Sequence, residues 1–119
     1  MDNYRILVET IRLIAAPPEI QLSKFPEQVC RPDEVAFTLE ELFPRANHLL
    51  KHQLITNDIY QSLQSIDTCF STFSSLDWTE EAMFVSAKWH QTRQMALALL
   101  LKMGEKWQSP NLFWIEDIF

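Results

Sequence analysis

Glycine is almost missing from this chain: Gly104 is the only one in 119 residues. Tight hairpins, phosphate-cradling loops and strained catalytic turns draw on glycine's freedom at positive φ. Its scarcity excludes a hairpin-rich sheet protein and a glycine-built nucleotide cradle, and predicts a mostly helical fold. Long apolar runs are missing too. The longest, Met95 to Leu101, is far short of the roughly 20 residues that cross a bilayer, and Met1-Asp2-Asn3-Tyr4-Arg5 carries no basic leader. A soluble, cytoplasmic protein without membrane contact is expected. Cysteine is sparse: Cys30 and Cys69 stand far apart, and reduced, buried thiols are expected rather than a disulfide. Cations are the minority charge, ten Lys and Arg against sixteen Asp and Glu, a formal net charge of -6. That balance repels a phosphate backbone and leaves none of the basic stripe on which nucleic-acid modules rely. An acidic surface either steers a basic partner or serves solubility alone.

What is present is apolar. Hydrophobic residues make up 47% of the chain, with four Trp and eight Phe, enough for one core without staples. The expectation is all-α: a single domain over residues 1–119, a bundle of about five or six helices with a proline-rich ordered loop and an apolar C-terminal tail packed on the core. Tyr4, Leu7, Val8, Ile11 and Ile14 fall at helical spacing, with Arg5, Glu9 and Arg12 toward solvent. That helix should end before Pro17-Pro18, which open a short turn through Leu22. Phe25-Pro26 and Cys30-Arg31-Pro32 read as extended loop. From Pro32, the carboxylates Asp33 and Glu34 favour a helix start and Val35, Leu39 and Leu42 share a face, while Pro44 predicts a stop or kink before Leu49 and Leu50. Thr56 is a predicted N-cap for the stripe Ile59, Leu63, Ile66, Phe70 and Phe73. Thr79 caps a short helix led by Glu80 and Glu81 and reaching about Val85. Ser86 caps the last helix, with Trp89, Ala96, Leu100 and Met103 aligned, Lys88, Gln91 and Lys102 outward, and Gly104 where a left-handed C′ residue belongs. Ala96 to Leu101 is apolar nearly all round and is expected at the centre. The tail from Leu112 to Phe119 either packs on the helices or binds a partner, and packing is favoured because so large an exposed patch is a liability.

Candidate chemistry is thin. His48 and His52, four apart, form half a metal site, but no His-Glu-x-x-His or Cys-x-x-Cys pattern completes it and Lys51 opposes a cation. A solvated helical face is the better reading, and no metal or cofactor is expected. The neighbouring pairs Glu40-Glu41 and Glu80-Glu81 diverge by about 100° on a helix, which suits dipole-favoured surface charge rather than acid–base work. Cys30 or Cys69 with His90 lacks any nucleophile signature. Trp89 and Trp114 lie within apolar patterns, leaving Trp78, beside Asp77 and Glu80, as the best exposed aromatic.

Pro17-Pro18-Glu19-Ile20-Gln21-Leu22, Phe25-Pro26, Val29-Cys30 and Asp33-Glu34-Val35-Ala36-Phe37 resemble a widespread family of small, largely uncharacterised bacterial proteins. The resemblance continues through Leu76-Asp77-Trp78-Thr79-Glu80-Glu81-Ala82, Ser86, Trp89, Arg93 and Gly104 and spans most of the chain. It implies a bacterial origin and brings no catalytic residues. In class character, small, acidic and without an active site, the chain is similar to immunity proteins that neutralise toxin domains, including those of contact-dependent growth inhibition systems. That likeness implies a non-enzymatic monomer that binds a basic, nuclease-like toxin; the carboxylate-rich surface and its exposed aromatic place the expected contacts at Asp33, Glu34, Glu40, Glu41, Asp77, Trp78, Glu80 and Glu81. The alternatives are an adaptor or regulatory domain binding through its apolar tail, and a metal-dependent enzyme built on His48 and His52.

Overall fold

A computed structural model describes residues 2–115. The elements run α1 (Asn3–Ala15), α2 (Pro18–Ser23), α3 (Arg31–Lys51), α4 (Asn57–Ser71), a 3-10 turn (Ser75–Asp77), α5 (Glu80–Val85) and α6 (Ala87–Lys102), with no strand among the described residues. The fold is all-α, as the glycine scarcity predicts. The side-chain caps stand where the sequence places them. Thr56 Oγ1 accepts from Ile59 N at 3.2 Å, Thr79 Oγ1 from Ala82 N at 3.0 Å and Ser86 Oγ from Lys88 N at 3.2 Å, each satisfying an orphan donor of a first turn. No described helix is long and apolar enough to cross a membrane.

α1 is the central rod. It packs against both α3 and α6, and α4 lies against α6 and α3. Every residue from Ile6 to Ile14 is buried, and Leu7, Ile11 and Ile14 join Leu39, Leu49, Leu63, Ile66, Trp89 and Leu100 in one core. The expected solvent side of α1 is therefore corrected: Glu9 and Arg12 are buried. They are covered by the segment after α6, in which Arg12 Nε donates to Lys106 O at 3.0 Å, Trp107 Nε1 to Arg12 O at 3.0 Å and Asn111 N to Glu9 Oε1 at 3.1 Å. Arg12 Nη1 pairs with Glu9 Oε2 at 3.2 Å, with Glu105 Oε2 at 3.8 Å from Nη2. Beyond this strap Leu112 and Ile115 are buried on the core, so the tail packs inward up to Ile115. Glu116, Asp117, Ile118 and Phe119 lie outside the described residues.

Three further expectations change. α3 runs unbroken through Pro44. The proline removes only the bond to the residue 40 carbonyl, and Leu39, Leu42, Ala46 and Leu49, buried on both sides of it, hold the helix together. In α6, Leu99 and Leu100 are buried but Leu101 is 70% exposed, because α1 and α4 together cover only part of the helix surface. Cys69 is buried, whereas Cys30 is exposed just before α3; both are free thiols.

Candidate functional site

α3 turns Val35, Leu39 and Leu42 to the core, which leaves Asp33, Phe37, Glu40 and Glu41 on its outer side. Asp33 and Phe37, then Phe37 and Glu41, are each four residues apart and hence one turn apart on the same side of the helix. Phe37 is 46% exposed. Beside it, Asp33, Ala36 and Phe37 face Ser75 and Trp78 across an open groove of about 410 Å³. A second hollow of about 350 Å³ lies against Phe37, Glu40 and Glu41. Leu76, in the 3-10 turn next to Ser75, is 82% exposed.

The far wall is built on packed aromatic rings. Trp78 lies 4.9 Å from Phe73, 6.0 Å from Trp89 and 6.2 Å from Phe70, ring centroid to centroid, within the range of favourable aromatic pairs. Trp89 Nε1 donates to Asp77 O at 2.7 Å. Trp78 is therefore a half-buried member of an aromatic cluster that presents part of its surface to the groove, rather than a freely exposed ring. The free ring of the site is Phe37, whose placement midway between Asp33 and Glu41 and off the Val35-Leu39-Leu42 face was readable from spacing.

The eight predicted contact residues divide into two groups. Asp77 closes a capping box: its Oδ2 accepts from Ser74 N at 2.9 Å and Ser74 Oγ at 3.2 Å, and its Oδ1 accepts from Ser86 Oγ at 2.8 Å. The Ser74 amide, and then the Ser86 hydroxyl, hold its pKa below the ordinary carboxylate value. Glu80 takes both arms of one guanidinium, Arg31 Nε to Oε2 at 2.7 Å and Arg31 Nη2 to Oε1 at 2.8 Å. That fork lowers the pKa of Glu80 and raises that of Arg31, and it ties the start of α3 to the start of α5. Both carboxylates are committed within the fold. Glu81 is exposed in the first turn of α5, outside the residues that line the groove.

The α3 carboxylates behave differently. Among the described residues none of Asp33, Glu34, Glu40 and Glu41 forms an ion pair. Glu34 has its pKa raised by burial first and then by the like charges of Glu41 and Asp33. The site that emerges is an uncompensated acidic ridge on α3, interrupted by one aromatic ring and backed by an apolar groove.

The other candidates stand apart from it. His48 and His52 are exposed near the end of α3 with ring centroids 4.3 Å apart, and no group of three or more metal-ligating side chains is found among the described residues. Burial pushes the Cys69 thiol upward, and at the exposed Cys30 partial desolvation together with the neighbouring Asp33 and Glu34 carboxylates does the same, away from the thiolate that nucleophilic attack requires. Comparison with protein-family models, with curated proteins and with solved structures gives no match for this chain.

Proposed function

We propose that this protein is a binding protein of the immunity class, a non-enzymatic chain that neutralises a basic, nuclease-like toxin domain by covering its cationic surface. The observation that carries the reading is the α3 ridge, where Asp33, Glu34, Glu40 and Glu41 stand without cationic partners among the described residues around the exposed ring of Phe37. Carboxylates that repel one another within the fold gain most from a cationic partner. A nuclease must hold phosphate, so its site is cationic, and an acidic ridge on a chain of net charge -6 both steers encounter and selects that partner. The adaptor alternative, binding through the apolar tail, is less well supported because Leu112 and Ile115 are buried in the core.

The test is capture of partners with the N-terminally tagged protein from its native cells, at low and at moderate salt, followed by mass spectrometry and a toxicity assay of whatever is bound. A basic protein released by salt, whose toxicity this chain abolishes, is the expected result. Capture of acidic or neutral regulatory proteins alone, unaffected by salt, would sink the proposal.

A further inference from the structure

The groove beside α3 has a shape and a charge pattern that together select an occupant. Its floor is apolar, made by Ala36, Phe37 and Trp78. Acid flanks the shared Phe37 ring on two sides: Asp33, in the groove, is one turn before it, and Glu40 and Glu41, which line the adjoining hollow, are about one turn after it, so the two acidic points are separated by about 12 Å of helix axis. A second copy of this chain, at net charge -6, is repelled, and an anionic lipid surface or a nucleic acid is repelled for the same reason. The complementary surface is cationic at two points with an apolar group between them.

We infer that the groove between α3 and the Ser75–Asp77 turn docks an amphipathic cationic segment of a partner protein, with one bulky apolar side chain over Phe37 and Trp78 and flanking Lys or Arg on Asp33 and on Glu40 and Glu41. This rests on the reading of the partner as a basic protein and specifies which part of that partner touches the chain. The apolar contact sets how long the complex lasts, and the flanking ion pairs set how fast it forms. Glu34, whose pKa is raised by burial and then by the like charges of Glu41 and Asp33, is relieved of that repulsion when a cation arrives.

The probe is a blocked, alanine-rich helical peptide carrying one leucine with a lysine one to two turns away on each side, titrated into the uniformly ¹⁵N-labelled full chain. Shifts centred on Ala36, Phe37, Ser75 and the Trp78 indole are expected. Exchanging the peptide's leucine for alanine should weaken binding roughly fivefold, about 1 kcal/mol, and Phe37→Ala in the protein should do the same. Because Phe37 is half exposed, that variant keeps its fold; the double variant Glu40→Gln, Glu41→Gln supplies an independent check and should weaken binding with a flatter salt dependence. Shifts spread over other faces, or equal affinity for the leucine and alanine peptides, would overturn the inference. If cellular capture yields a non-basic partner while the peptide docks as described, the functional reading falls and the groove stands. If it yields a basic toxin whose affinity is indifferent to both protein variants, the groove falls and the functional reading stands.

Discussion

Asp77 and Glu34 are both carboxylates chosen from the sequence as partner contacts, and the structure gives their charges opposite effects on stability. Asp77 has a folded pKa below its ordinary 3.8 because Ser74 and Ser86 donate to it. Its contribution is therefore present above the ordinary value and is lost as pH falls through the folded one. Asp77→Asn should destabilise the protein at neutral pH, and the deficit relative to wild type should shrink as urea midpoints are followed into acid; an equal deficit throughout would show that the charge is not what the capping box uses. Glu34 has a folded pKa above its ordinary 4.5. Its ionised form is penalised in the fold, so its contribution is fully present below the ordinary value and is lost as pH rises through the folded one. Glu34→Gln should raise the melting temperature at neutral pH and lose that gain in acid, and thermal melts at the two pH values read the difference. At this scale the sequence placed the carboxylates of α3 and α5 off the core, though not Glu9, which is buried. It could not tell which were already committed, because the partners Ser86 of Asp77 and Arg31 of Glu80 are brought in by tertiary packing.

Helix ends show the same division. α6 closes with Gly104 at φ +73, where Gly104 N donates to Leu101 O at 3.0 Å and Glu105 N to Leu100 O at 2.9 Å, the paired bonds of a Schellman motif. α3 closes with the same pair of bonds, Gln53 N to Leu50 O at 3.0 Å and Leu54 N to Leu49 O at 2.8 Å, but on Gln53 at φ 60. The first end was legible because glycine announces a left-handed residue, and the second was not, because glutamine announces nothing. A side chain at positive φ costs on the order of 1 kcal/mol relative to glycine. Gln53→Gly should therefore stabilise the protein by about 1 kcal/mol in chemical denaturation. Gly104→Ala, whose added Cβ meets nothing within 4 Å, should destabilise it by about the same amount. Equal midpoints for wild type and Gln53→Gly would mean that the glutamine side chain compensates for its backbone. The continuity of α3 across Pro44 belongs here too: local rules weigh one lost hydrogen bond, whereas four buried side chains on the flanking turns decide the outcome.

At the scale of the whole molecule, the decisive event is the return of residues 105–115 across α1. Spacing within α1 places Glu9 and Arg12 opposite the apolar stripe and so toward water, a correct inference for an isolated helix. The strap converts that polar face into an interior one by supplying Glu105, the Lys106 carbonyl and the Asn111 amide as partners, without which a buried guanidinium could not be tolerated. No local pattern links positions about a hundred residues apart, so this contact was invisible in the sequence although the apolar tail that makes it was not. The consequence is an ordered series of losses. Trp107→Phe removes one hydrogen bond to Arg12 O and should cost about 1 kcal/mol. Glu9→Ala takes the nearer carboxylate from the buried Arg12 and the acceptor from Asn111 N, leaving Arg12 to Glu105 and the Lys106 carbonyl, and should cost about 2–3 kcal/mol, more than the single bond of Trp107. A chain ended at Gly104 loses the whole strap together with the burial of Leu112 and Ile115, each worth roughly 1.5–3 kcal/mol. Against a total stability of about 5–15 kcal/mol, that chain should show no cooperative thermal transition. If it melts as the full chain does, α1 is held by α3 and α6 alone, and the tail is released to act as the adaptor reading requires.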